Sequence, residues 1–182
     1  MLIAILYLAT GLAWISVSLL EIVAHPHYWE PVTIVDWIAV WTYTLAFVLT
    51  ALTVPLIARD ARAGRAVGVV AAIAGGAAAL AAIGNVFEDA FDQSAWSTAY
   101  VAGALGTLLA MVGLAALLAL RHRPRSALAV ALILVGLAVQ SAGLGWVALV
   151  GGAIAARDRL APSSGSHSVP GSRHSPGGTL PP

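Results

Sequence analysis

The fold of this chain is decided by residues 66–91, AVGVVAAIAGGAAALAAIGNVFEDAF. The first 22 of these residues carry no charge, and the last part of the run contains the polar residues Asn85, Glu88 and Asp89. A helix needs about 20 predominantly apolar residues to cross a hydrocarbon core of about 30 Å. The stretch therefore predicts a transmembrane helix that ends in a polar segment.

Similar apolar runs fill most of the sequence. Of the 182 residues, 60% are hydrophobic and only 9% are charged, whereas a soluble globular domain averages about 45–50% and about 25%. This number of charges is too small to cover a water-soluble fold of this size. We therefore predict an all-α, polytopic transmembrane helical bundle. The predicted spans are residues 2–24, 34–58, 66–91, 95–120, 126–140 and 143–157.

The last apolar run, residues 127–156, is too long for one ordinary span. As a single helix it would reach about 45 Å. Its middle contains Gln140 and Ser141 followed by Gly143 and Gly145, which predicts a turn between two short helices that form a hairpin. Each half is shorter than the roughly 17 residues that a span usually needs, so one strongly tilted helix is the alternative.

Arginine positions indicate the orientation of the bundle, because cytoplasmic loops carry an excess of basic residues. Two arginine clusters, within residues 59–65 and 121–125, are separated by two predicted spans and therefore lie on one side. A third pair, Arg157 and Arg159, joins that side only if the number of spans is even. We therefore predict six spans with both termini cytoplasmic. All nine strongly basic residues are arginine, and Ala and Gly are abundant. This bias is typical of a high-GC bacterial genome, so we predict a bacterial cytoplasmic membrane.

Residues 161–182 differ in composition from the rest of the chain. They are rich in Pro, Ser, Gly and His and contain almost no apolar residue, which is too little to offset the entropy of ordering a backbone. We predict a disordered cytoplasmic tail. The absence of cysteine excludes thiol catalysis and Cys-based metal sites, and a net charge of +1 argues against a nucleic-acid partner.

Carboxylates gather at the ends of the first three spans that lie opposite the arginines. Glu21 and His25 are four residues apart, so they share a face if the first helix extends that far. In the third span, Asn85, Glu88, Asp89 and Asp92 lie at relative positions zero, three, four and seven. This spacing predicts one polar stripe along the helix. With Asp36, and with His27 as a further neighbour, the candidate site consists of Glu21, His25, Asp36, Asn85, Glu88, Asp89 and Asp92.

Such a site is open to several interpretations. The leading hypothesis is a non-enzymatic membrane protein with a polar, outward-facing site, because ionisable groups placed in a membrane usually face a bundle interior or a cavity. A small transporter or a cation- or proton-binding protein is the second. An enzyme acting on a lipid-phase substrate, with Glu88 or Asp89 as base and His25 as acid or ligand, is the third. The same residues could instead be the hydrated ends of helices.

No motif in the sequence requires a cofactor. His and carboxylate side chains are acceptable zinc ligands, and hard cations take carboxylates alone, so a bound metal is the one alternative. Membrane lipids are the expected partners. Small residues at four-residue spacing suit close helix packing or a homo-oligomer, and they are Gly68, Ala72, Gly76, Ala102, Gly106 and Ala110.

Overall fold

The described part of the chain is a bundle of six helices without β-strands. The computed structural model describes residues 1–26 and 31–160. The helices are α1 (Leu2–Ala24), α2 (Ile34–Ala61), α3 (Arg65–Asn85), α4 (Ser97–Leu120), α5 (Pro124–Ala138) and α6 (Trp146–Leu160). The predicted tail, residues 161–182, and the predicted neighbour His27 lie outside the described residues.

Four helical segments are long and apolar enough to cross a membrane. They cover Leu2–Ala24, Ile34–Ala61, Arg65–Asp89 and Ser94–Leu120, with mean hydropathy between 1.8 and 2.2. Large apolar side chains on their outer surfaces are exposed, for example Leu109 at 73% and Ile73 at 57%, as lipid-facing residues should be. These helices confirm the prediction of an all-α bundle and indicate a membrane protein.

Helices α5 and α6 are separate and short. Each has 15 residues, or about 22 Å of helix. Between them the backbone forms a 3₁₀ turn at Gln140–Ala142 and takes a left-handed conformation at Gly143, where φ is 78°. The alternative of one continuous tilted helix is therefore wrong, because the backbone breaks where the polar pair and the glycines interrupt the apolar run.

Helix α2 begins with a reciprocal capping interaction. The Asp36 backbone N–H donates to Thr33 Oγ1 over 3.2 Å, and the Thr33 backbone N–H donates to Asp36 Oδ2 over 2.7 Å. Asp36 Oδ2 also accepts from the Thr33 hydroxyl over 2.8 Å and from the Val32 backbone N–H over 3.2 Å. These bonds satisfy donors that a helix start leaves unpaired, so Asp36 stabilises the beginning of α2.

Helix α3 ends in a single wide turn. Residues Val86–Ala90 form one π-helical turn, after which Asp92 takes a left-handed conformation with φ of 50°. The Gln93 backbone N–H closes the segment by donating to the Phe87 carbonyl oxygen over 3.0 Å. The Phe87 ring then stacks on Trp96 with 4.7 Å between ring centroids, which fixes the short connection into α4.

Glycines let the helices approach closely. A Cβ added at Gly11 in α1 would lie 2.8 Å from the Leu149 backbone nitrogen of α6, and one added at Gly103 in α4 would lie 2.8 Å from the Ala77 carbonyl oxygen of α3. Real Cβ atoms do not approach that closely, so only glycine fits at these crossings. Backbone contacts of this kind also surround Gly75, Gly84, Gly145, Gly151 and Gly152.

The small-residue face predicted on the third helix is not where α3 packs within the chain. A Cβ at Gly68 or Gly76 would meet nothing within 4 Å, and both glycines and Ala72 are exposed. The buried face lies one position away and includes Ala71 and Gly75. Close packing within the chain therefore does not use Gly68 and Gly76, and the homo-oligomer stays a prediction.

Hydrogen bonds between polar side chains join α1 to α2 inside the bundle. Trp14 Nε1 donates to Thr50 Oγ1 over 3.0 Å, and the hydroxyls of Thr10 and Thr53 lie 2.6 Å apart. All four residues are fully buried. Such bonds between membrane helices are worth about 0.6 kcal/mol each on average, so they fix the register of the two helices more than they add stability.

Candidate functional site

A polar cavity of about 190 Å³ lies within one end of the bundle. It is enclosed by the last turns of α1 and α3, the first half of α2, the first turn of α4 and the α5–α6 turn. We call it the acidic cavity. Its lining residues are Glu21, Tyr43, Asn85, Glu88, Asp89, Tyr100 and Gln140.

The α5–α6 turn packs against the last part of α1 beside this cavity. Ser18 Oγ donates to the Gln140 carbonyl oxygen over 2.7 Å and accepts from the Gly145 backbone N–H over 2.9 Å. Helix α1 continues to Ala24, which is about 9 Å beyond Ser18 at 1.5 Å per residue. Beyond Ser18, Ile22 therefore meets the turn at Gly143, and Glu21 lines the cavity.

Asp89 is the most buried carboxylate of the cavity. Asp89 is only 8% exposed. Within residues 1–26 and 31–160, no hydrogen-bond donor reaches its carboxylate. Gln140 Oε1 is likewise buried without a hydrogen-bond partner in the described part of the chain. Buried polar atoms are normally hydrogen-bonded, so the Gln140 oxygen favours a donor in the cavity, and the Asp89 carboxylate favours a positive charge.

The remaining polar groups of the cavity are held in place by neighbours. Asn85 Nδ2 donates to Thr44 Oγ1 over 3.0 Å, which ties α3 to α2. The Ser97 hydroxyl donates to Glu88 Oε1. At the base, the Tyr100 hydroxyl donates to the Tyr43 hydroxyl over 3.0 Å. These bonds fix the walls and leave Gln140 Oε1 as the buried acceptor without a partner among the described residues.

The charge of the cavity is one-sided. Three carboxylic acids line it, and no Arg or His is among the described lining residues. Carboxylates brought together without a basic neighbour are stabilised by an accompanying positive charge. The cavity therefore favours a cation or protons and disfavours anions.

Aromatic rings close the cavity from below. Trp14, Tyr43 and Phe47 meet edge to face, with ring centroids 5.2–5.8 Å apart, and Tyr100 lies 6.3 Å from Tyr43. Trp14 and Phe47 are completely buried. Edge-to-face contacts of this geometry are favourable, so a packed layer separates the acidic cavity from the opposite end of the bundle.

The structure brings together four of the seven residues predicted for the site. Asn85, Glu88 and Asp89 face the cavity from the end of α3, as their spacing predicts, and Glu21 reaches it from α1. The other three lie elsewhere: His25 and Asp92 are exposed, and Asp36 caps α2.

His25 and Asp92 lie outside the acidic cavity because of where the helices end. Helix α1 stops at Ala24, and His25 has a left-handed backbone with φ of 45°. The predicted common face of Glu21 and His25 is therefore not formed. Asp92 follows the π-helical turn and also has a left-handed backbone, so the stripe predicted on α3 loses its last member.

Three lining residues were not predicted from the sequence. Tyr43 and Tyr100 contribute hydroxyls from α2 and α4, and Gln140 contributes from the α5–α6 turn. The signal for Gln140 was present, because it is a polar residue within a long apolar run. Nothing in the sequence marks the two tyrosines, since tyrosine near a helix end usually belongs to the interfacial aromatic belt.

Among the described residues, no three His, Asp or Glu side chains form a group that could hold a metal ion. Homology adds no further constraint on function, since no protein-family model, curated protein or solved structure matches this chain.

Proposed function

We propose that this chain is a non-enzymatic membrane protein of six spans whose acidic cavity binds a small monovalent cation. Both termini face the cytoplasm and the cavity faces outward. The observation that carries the proposal is the Asp89 carboxylate, which is 8% exposed in a cavity with two other carboxylic acids. An isolated buried carboxylate is costly unless a positive charge accompanies it, and the described lining supplies none.

The size and lining of the cavity favour a monovalent cation over a chelated divalent ion. Its volume of about 190 Å³ has room for several water molecules. That space suits a partly hydrated alkali ion or a small ammonium ion. Tyr43 and Tyr100 lie at its base, and aromatic rings attract cations, ammonium groups among them.

The six-span topology is supported by the positions of the helix ends. Asp60 at the end of α2 bonds Arg159 at the end of α6, whereas Gln140, between α5 and α6, lines the acidic cavity with Glu21. Helices α5 and α6 thus run from the arginine-rich end toward the cavity and back. The orientation follows from the positive-inside rule.

The topology is tested with single cysteines, since the native chain contains none. We expect Gln93→Cys and Ser141→Cys to react with a membrane-impermeant maleimide in intact cells, and His122→Cys to react only after permeabilisation. All three positions are exposed. Labelling of His122→Cys in intact cells would invert the orientation, and protection of Ser141→Cys under both conditions would contradict the six-span arrangement.

The cation site is tested by comparing Asp89→Asn with Asp92→Asn, an exposed control that removes the same charge three residues away. Thermal unfolding of the purified protein is measured in NaCl, KCl or tetramethylammonium chloride. Tetrabutylammonium chloride, too large for the cavity, keeps the ionic strength constant. At ten times the Kd, a bound cation should raise the wild-type Tm by about 3–6 °C.

We expect Asp92→Asn to retain this rise and Asp89→Asn to lose it. In tetrabutylammonium alone, Asp89→Asn should be more stable than wild type by about 1–2 kcal/mol, because the substitution removes an uncompensated buried charge. The cation that raises the Tm distinguishes an alkali site from an ammonium site. Equal destabilisation of Asp89→Asn in every salt would assign the carboxylate a purely structural role and refute the proposal.

A further inference from the structure

A second cavity lies at the opposite end of the bundle and has the opposite charge. Its volume is about 320 Å³, and it is formed by the start of α1, the end of α2, the start of α5 and the end of α6. We call it the arginine cavity. Its lining residues are Tyr7, Ile57, Asp60, Arg62, Arg125, Ser126, Ile154, Ala155 and Arg159.

The single described carboxylate of this cavity is already neutralised. Arg159 Nε donates to Asp60 Oδ2 over 2.7 Å, its terminal nitrogen donates to Asp60 Oδ1, and the Tyr7 hydroxyl donates to Oδ2 over 2.7 Å. The hydrogen bonds with Asp60 raise the pKa of Arg159, so this guanidinium stays charged. Arg62 and Arg125 also line the cavity, so its described lining contains three arginines and one carboxylate.

The start of α5 adds a further attraction for anions. Ala127 is the residue whose backbone N–H makes the first helical bond, to the Arg123 carbonyl oxygen over 3.0 Å. Arg125 and Ser126 precede it, at the positive end of the helix dipole. Backbone N–H groups at a helix start are common ligands of phosphate oxygens. Half-buried Ser126 also brings a hydroxyl into the cavity wall.

The polar lining continues directly into an apolar surface. Ile57, Ile154 and Ala155 form the apolar part of the cavity wall. Leu128 lies three residues after Arg125, on the same side of α5, and is 50% exposed. At the end of α6, Leu160 is 58% exposed. A ligand that fits both parts has an anionic group joined to hydrocarbon.

We infer that the arginine cavity binds the phosphodiester headgroup of an anionic phospholipid, whose acyl chains lie on the exposed apolar surface of α5 and α6. Basic pockets between membrane helices on the cytoplasmic side have this chemistry. The site is distinct from the acidic cavity, because the two share no lining residue. It therefore does not depend on the function proposed for that cavity.

The test compares two double variants of the full chain that lose the same charge at the same end. Arg62→Gln/Arg125→Gln removes two arginines of the cavity, whereas Arg65→Gln/Arg121→Gln removes two exposed arginines outside it. Binding of phosphatidylglycerol and phosphatidylcholine to the detergent-purified protein is measured by native mass spectrometry. Millimolar inorganic phosphate is the competitor, since it carries the anionic group without the hydrocarbon.

We expect phosphatidylglycerol to bind wild type at least about tenfold more tightly than phosphatidylcholine, and the cavity variant to lose that preference, since each Arg near a membrane surface contributes substantially to anionic-lipid binding. The control variant should change by no more than about twofold. An equal loss in both double variants would assign the effect to diffuse surface charge. Full displacement of the lipid by phosphate would identify a free-phosphate site. Either result overturns the inference.

A pair of substitutions at Ser126 keeps the test valid if the double variant misfolds. Ser126→Glu places a carboxylate in the cavity wall and should abolish the preference for phosphatidylglycerol, whereas Ser126→Gln introduces a similar volume without charge and should keep most of it. Unchanged lipid preference in a folded Ser126→Glu protein would contradict the proposed site.

Discussion

Replacing Trp14 with alanine is expected to lower the free energy of unfolding by about 3–5 kcal/mol, the usual cost of truncating a large buried aromatic side chain. Trp14 is completely buried and packs edge to face on Tyr43 and Phe47. Its indole N–H donates to Thr50 Oγ1 over 3.0 Å. The substitution therefore removes both the centre of the aromatic layer and a bond between α1 and α2.

Denaturant titration of the purified protein measures this loss, with Trp41→Ala as the control. Trp41 is 51% exposed on α2, so its removal should cost less than about 1 kcal/mol. Losses of equal size for the two variants would show that the aromatic layer contributes no more than a lipid-facing tryptophan. Because Tyr43 also lines the acidic cavity, Trp14→Ala should in addition weaken the salt-dependent stabilisation described above.

Replacing Gly75 with valine is expected to destabilise the bundle by about 1–3 kcal/mol or more, the range for overpacking a close contact. A Cβ at Gly75 would lie 2.8 Å from the Ala51 carbonyl oxygen and 2.8 Å from Pro55 Cγ. Neither the backbone of α2 nor a proline ring can move aside easily. Helices α2 and α3 must therefore separate.

The adjacent glycine provides the control for this prediction. A Cβ at Gly76 would meet nothing within 4 Å, so Gly76→Val should leave the unfolding free energy within about 0.5 kcal/mol of wild type. Both variants are compared by the same denaturant titration. Marked destabilisation by Gly76→Val instead would mean that the exposed face of α3 is covered in the assembled protein, as the predicted homo-oligomer requires.

Sequence patterns predicted the helices well because each depends on local composition. Uninterrupted apolar runs mark the four long segments, and the polar and glycine residues around Gln140 mark the break between α5 and α6. Which glycines pack is not local information. Gly75 and Gly76 are neighbours with the same residue type, and only the crossing of α2 over α3 distinguishes them.

The candidate site was predictable to the extent that its residues share one helix. Asn85, Glu88 and Asp89 come from consecutive positions of one face, and the structure places all three in the acidic cavity. His25 was misplaced because its position depends on where α1 ends. Tyr43 lines the cavity because of the register between α1 and α2, and no sequence pattern reveals that register. The role of Asp36, by contrast, is local, since Thr33 and Asp36 have the spacing of a capping box.

The shortness of α5 and α6 has a consequence for the surrounding bilayer. If α5 and α6 span the membrane as proposed, a helix pair of about 22 Å in a hydrocarbon core of about 30 Å creates hydrophobic mismatch on one flank of the protein, whereas the longer helices match the core. Lipids beside a short segment thin locally and bring headgroups and water deeper. Gln140 borders the acidic cavity on the same flank, so in the proposed arrangement this thinning would give a cation a hydrated lateral route to the proposed site.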